Sequence, residues 1–195
     1  DPAEEGLCVA EQVSGRPEAD AGMRTLLMTL ERKSGRSEER RATLYRESRS
    51  DRRMTRIVFD EPARQRGFAF LGVDGKLPGP EHDERWMFMP VDGKPRRLPV
   101  AKRGDSFFGT DFSFEDMQSE LKFNLDDWTF RYLGDETVNG ERRHRLSGAP
   151  RTERIARELG YGGFTAVIDE RSWLPLKIQF MDPRQRSLKT ITVDE

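Results

Sequence analysis

What most constrains this chain is a period-two alternation of apolar and polar side chains, restarted repeatedly between tight-turn signals. In "MRTLLMTLER" Leu26, Met28 and Leu30 fall on one side and Leu27, Thr29 and Glu31 on the other, as a pleated strand requires. "KSGR" at residues 33–36 reads as a turn and "RRATLYRESRS" as the returning strand, so the sheet opens with a hairpin. "RMTRIVFDEP" is stopped by Pro62, "RGFAFLGVDG" alternates again, and "ERWMFMPVDGKPRRLP" turns at Asp92-Gly93. Asn139-Gly140 in "WTFRYLGDETVNGERRHRLSG" is the strongest two-residue hairpin signal in the chain. "GFTAVIDERSWLPLKIQFMD" forms another hairpin, and "SLKTITVDE" closes as a last strand. Roughly ten to eleven short strands with hairpin links predict a mainly β, α+β fold built on a large antiparallel sheet or barrel.

Three segments read as helices. "AEEGLCVAEQV" near the N-terminus brings Leu7, Cys8, Ala10 and Val13 near one face. Ser113 to about Leu121 opens with a capping signature, and "RTERIARELGYG" has Ile155 and Leu159 four apart, with Gly160 placed to cap the end. A long sheet with one apolar face and so few helices curls around whatever fills its concave side. The length of 195 residues fits one domain, 1–195, with residues 1–21 as an N-terminal helix or extension and 22–195 as the sheet and its cover.

Charge narrows the partners. Lys plus Arg is 34 against 35 Asp plus Glu, a net charge of -1 that supplies no positive field for nucleic acid. Only seven of the basic residues are Lys, and the arginine pairs are interleaved with acids, as on solvated strand faces with cross-strand ion pairs. The single cysteine, Cys8, forms no internal disulfide, and no apolar run approaches the roughly 18 residues of a membrane span. No signal-peptide core precedes Asp1; a start at Asp-Pro is compatible with a processed or trimmed secretory protein, and an artificial start would look the same.

Chemistry-bearing patterns are sparse. Asp105, Asp111, Glu115 and Asp116 crowd one stretch, where a carboxylate pair for glycoside hydrolysis is one reading. Helix capping is the other: Ser113 three residues before Asp116 fits the cap signature, and acids suit a first helical turn. No EF-hand spacing occurs, and His82 and His144 are too isolated for zinc. There is no G-x-S-x-G, no P-loop, and no histidine near Cys8. What stands out is apolar surface: Trp86, Met87, Phe88, Met89, Phe107, Phe108, Phe112, Phe114 and Met117 exceed what alternating strands need. Ordinary core packing explains some; a pocket for an acyl chain explains the excess.

The order "DERWMFMP", "KPRRLP", "SFFGTDFSFEDM" resembles the W-x-[FY]-[LM]-P, [KR]-[KR]-[IL] and S-F-x-G-[ST]-D-F-[ST]-x-E-D signatures of bacterial outer membrane lipoprotein-sorting proteins, relatives of the carrier LolA. The motif positions are Gly109, Thr110, Asp111, Phe112, Ser113, Glu115 and Asp116, and the likeness spans about residues 22–193. The resemblance implies a half-open, strongly curved antiparallel sheet with helices over its concave face and an apolar cavity between them. It implies a non-enzymatic periplasmic carrier of lipoprotein acyl chains or lipids, without cofactor or metal, which releases cargo to a competing partner or through transient membrane contact. Many such proteins work beside inner-membrane exporters of the resistance-nodulation-division type, so an accessory subunit that carries no lipid is the alternative. Expected cavity or cover residues are Trp86, Phe88, Phe108, Phe112, Phe114 and Met117, with Trp128, Phe130, Leu176, Ile178 and Phe180 on strands facing it. The LolA archetype lacks the G-T-D-F-S block, so its receptor contacts do not transfer to this chain.

Overall fold

A computed structural model describes residues 1–17, 19–32, 34–75, 83–99, 103–119 and 121–194; His82 lies outside them, as does Lys33 of the predicted turn. Among the described residues, eleven strands, three short α-helices and one 3-10 turn form two compact units, Glu18–Ala101 and Asp1–Pro17 with Lys102–Glu195. The predicted mainly β class holds, with the strands divided between a six-stranded and a five-stranded antiparallel sheet.

The first unit contains β1 (Ala21–Glu31), β2 (Ser37–Ser48), β3 (Arg52–Glu61), β4 (Ala69–Gly75), β5 (Glu84–Phe88) and β6 (Pro95–Leu98), in spatial order identical to chain order. Each strand pairs with its sequence neighbour, and apart from a register shift at Arg41/Ala42 one alternation parity runs across the sheet. One face carries buried Met28, Ala42, Leu44, Ile57, Phe59 and Phe70. Buried Arg85 on the same face is held by its bonds to the Val73 carbonyl and the Asp74 carboxylate. The opposite face carries the row Met23, Tyr45, Arg56, Leu71, Trp86 and Arg97, one residue from every strand.

The second unit begins with α1 (Pro2–Ser14), started by the Asp1 carboxylate accepting from the Ala3 N–H at 3.0 Å with proline in the first turn. Its sheet contains β7 (Trp128–Val138), β8 (Glu141–Pro150), β9 (Gly163–Asp169), β10 (Pro175–Met181) and β11 (Ser187–Thr192), again a meander. Asn139 and Gly140 both take positive φ, 54° and 83°, as a two-residue hairpin turn requires. Helix α2 (Phe114–Gln118) and helix α3 (Glu153–Leu159) complete the unit; α3 is capped by Thr152 and ends at Gly160 with φ 77°. Phe123, Trp128, Phe130, Leu146, Phe164 and Ile178 form the core, joined by Val9, Ala10 and Val13 of α1.

Gly148 of β8 lies directly opposite Phe164 of β9, and the phenyl ring covers it. A Cβ at position 148 would sit 2.2 Å from that ring. The ring is buried and packed against Phe123 and Trp128, at 4.8 and 4.9 Å between centroids, so it has nowhere to retreat. Gly148→Ala should therefore destabilise the protein by about 2 kcal/mol, seen as a lower urea midpoint at unchanged slope.

At the far end of β7 a register shift at Tyr132/Gly134 sets Asp135 opposite His144. Partial desolvation raises the Asp135 carboxyl, but hydrogen bonds from Tyr132, His144 and Arg142 outweigh it and hold the group at about 2. A carboxyl depressed in the fold stabilises above its unfolded value and loses that contribution as pH falls through the folded one. The stability difference between wild type and Asp135→Asn should shrink between pH 3.8 and about 2 in an acid denaturation series.

Candidate functional site

The stretch that opens α2 is organised around one carboxylate. Ser106 and Ser113 form a β-bridge, and between them Phe108 and Gly109 take positive φ of 47° and 72° in a tight reversal. Thr110 closes it, its Oγ1 donating to the Phe107 carbonyl at 2.7 Å and accepting from the Phe112 N–H. Phe107 is thereby buried completely, edge-on to Phe108 and Phe114 at 4.7 and 5.3 Å. Ser113 then caps α2 in a reciprocal box: its Oγ accepts from the Asp116 N–H, and Asp116 Oδ2 accepts from the Ser113 N–H at 2.6 Å.

Asp116 Oδ2 also accepts from the Tyr161 hydroxyl at 2.8 Å and from the Lys189 ammonium of β11. Lys189 Nζ donates further to the Asp111 carbonyl and lies over the rings of Phe112, Tyr161 and Phe180, 4.4–5.4 Å from their centroids. Both members of the pair are about 5% exposed, which makes this a buried ion pair with its hydrogen bonds filled. Burial pushes the Lys189 ammonium below its ordinary range, and Asp116 opposes that shift. Burial and then Asp116 raise the Tyr161 phenol, so it remains a donor. Glu115 is engaged by Arg103, whose guanidinium grips it through Nε and a terminal nitrogen at 2.9 and 2.7 Å and also binds Asp127. These acids are structural groups. Among the described residues no three His, Cys, Asp or Glu side chains come together to hold a metal.

Beside this network lies a cavity of about 50 Å³ whose apolar wall includes Phe123, Trp128, Phe164, Ile178 and Phe180, with Glu115, Asp116 and Lys122 among its polar members. That is well below the roughly 300 Å³ at which ligand pockets begin. The first unit presents a broader apolar surface. On the face opposite its buried side, Met54, Val58, Leu71, Val73, Trp86 and Phe88 are all half-buried. They adjoin across the ladder in the pairs Met54–Val73, Val58–Ala69, Ala69–Phe88 and Leu71–Trp86. Trp86 is pinned there by its indole N–H to Glu84 at 2.9 Å.

A family model whose description reads "-like: Uncharacterized protein" matches residues 51–195. The chain belongs to this family. Its fold is LolA-like. It is similar to a putative outer membrane lipoprotein-sorting protein domain from Vibrio parahaemolyticus, with 26% identity, a TM-score of 0.70, and coverage of 99% of this chain and 78% of that one. It is also similar to a DUF1329 family protein from Desulfovibrio piger, at 24% identity and TM-score 0.67 over 98% and 78% of the two chains. A LolA superfamily protein from Nitrosomonas europaea shares the fold at 19% identity and TM-score 0.53, over 100% and 78%. No curated protein matches the chain.

In this LolA-like chain the expected site residues separate into groups. Trp128, Ile178 and Phe180 line the small cavity, as do the motif acids Glu115 and Asp116. Phe130 and Met117 are buried. Phe108, Phe112 and Phe114 are half-buried within the motif segment. Trp86 and Phe88 lie on the other sheet, half-buried on the face opposite its buried side. Sequence reasoning passed over Lys189 and Tyr161, although Lys189 shares strand parity with Ile191, an apolar position where a lysine needs a partner. Lys189→Met would leave Asp116 buried without its cation and should cost about 3 kcal/mol in urea denaturation; a cost under about 1 kcal/mol would show that the pair does not anchor the motif.

Proposed function

We propose that the protein is a non-enzymatic periplasmic carrier that holds acyl chains of lipoproteins or lipids and passes them toward the outer membrane. The observation that carries this reading is the contiguous, incompletely buried apolar face of Met54, Val58, Leu71, Val73, Trp86 and Phe88, a surface of the kind that apolar ligands use. The likeness to a lipoprotein-sorting domain supports it. So does the engagement of Glu115 and Asp116 in ion pairs, which removes the carboxylate couple a hydrolase would need. No described helix is long and apolar enough to cross a membrane.

Magnitudes agree with reversible carriage. An acyl chain of about fifteen methylenes gains about 12 kcal/mol when fully buried, at about 0.8 kcal/mol per CH₂. Laid on an open face it gains about half of that, which corresponds to a dissociation constant in the micromolar to millimolar range. Cargo so held is released when a membrane or a receptor competes for it.

Protein isolated from its native periplasm should release acyl-chain species on delipidation, detected by native mass spectrometry. It should afterwards rebind a fluorescent fatty acid. Phe88→Glu should weaken that rebinding by roughly tenfold or more with little change in thermal unfolding. Protein that emerges without lipid and ignores the probe would sink the carrier reading.

A further inference from the structure

Strand β1 stands at the edge of the six-stranded sheet, and among the described residues no strand pairs with its outer side. Its ladder to β2 runs from Ala21↔Glu47 to Glu31↔Ser37 without a register shift. The flanking bonds, Ser48 N–H to the Asp20 carbonyl and Arg32 N–H to the Arg36 carbonyl, show which residues face β2. Even-numbered residues spend their backbone groups on β2. The odd-numbered ones, Met23, Thr25, Leu27, Thr29 and Glu31, point N–H and C=O outward.

Native edge strands are usually blunted by charged side chains, proline, a bulge or shortness. β1 is eleven residues long, regular and free of Pro, and its only charges, Arg24 and Glu31, leave the stretch Thr25–Leu30 between them uncharged. Its outward residues include two of the most exposed large apolar side chains, Met23 at 69% and Leu27 at 70%, with exposed Tyr45 paired to Met23 on the same face.

We infer that β1 is a homodimer interface, pairing antiparallel with β1 of a second copy about a dyad at Leu27. The choice of a second copy rests on self-complementarity. About Leu27 the segment Thr25-Leu26-Leu27-Met28-Thr29 is a near-palindrome. It sets Leu27 against Leu27, Thr25 against Thr29 and Leu26 against Met28, all favourable cross-strand pairs. The outward-facing odd residues meet odd residues, so every pair that must exchange backbone bonds can do so. Charge agrees as well: Arg24 falls opposite Leu30 and Glu31 opposite Met23, so no like charges meet. The two Arg24 side chains stand about 20 Å apart, at six rows of about 3.4 Å. The union makes a continuous twelve-stranded sheet from two six-stranded ones.

Sedimentation velocity on the full chain from about 1 to 100 µM should show a dimer whose population rises with concentration. Leu27→Lys, which sets two ammonium groups face to face, should weaken it roughly tenfold or more. Thr25→Pro removes an outward N–H while sparing the ladder to β2, and should weaken it without changing the circular dichroism of the monomer. With exposed Cys8 replaced by Ala, Leu27→Cys should cross-link across the dyad under mild oxidation. A chain that stays monomeric at the highest concentration overturns the inference, including the outcome in which another protein's strand takes the edge. A dimer indifferent to both Leu27→Lys and Thr25→Pro overturns it too.

Discussion

In both sheets every strand hydrogen-bonds to its neighbour in sequence, and that restriction fixes nearly everything else. Once the turn at one hairpin sets the register, the parity of the next strand follows, because a slip of one residue would exchange its two faces. Met23, Tyr45, Arg56, Leu71, Trp86 and Arg97 end up in one row through a succession of local pairings. The buried row beside it, through Ala42 and Phe59 or Leu44, Ile57 and Phe70, follows from the same parity.

What the ladders do not determine is where the motif segment before β7 goes. That is the work of Lys189 and Asp116, 73 residues apart in sequence. An ammonium buried this deeply is tolerable because a carboxylate, a phenol, a carbonyl and three ring faces share its charge. The same carboxylate caps α2, a helix of five residues too short to persist by propensity. One side chain thus ties the motif reversal, the helix and the sheet together.

Elements whose cause is local were legible in the sequence. The Asn139-Gly140 turn, the Ser113–Asp116 capping box, the Gly160 stop and the alternating strands depend on residues a few positions apart, and each stands where the pattern places it. The Lys189–Asp116 pair and the bond from Tyr161 join distant segments, and no short-range pattern announces them. Tyr161 follows the Gly160 stop with no pattern of its own to mark it, although it holds the motif. The aromatics were legible as excess but not as a site. Alternation gives each residue a face without saying which of two sheets the face belongs to, and Trp86 and Trp128 sit in different ones.

The seating of α1 against β7, with Gly6 so near Arg131 that a Cβ would come within 2.8 Å of its backbone, makes the second unit discontinuous along the chain. A chain delivered from its N-terminus presents Val9, Ala10 and Val13 long before Phe130 and Leu146 exist to cover them. At about 5–20 residues per second the delay is on the order of 6 to 25 seconds, far longer than a helix or a hairpin takes to form. The first unit can close within that interval, and the nascent chain must keep one greasy helix out of trouble until its docking strand arrives.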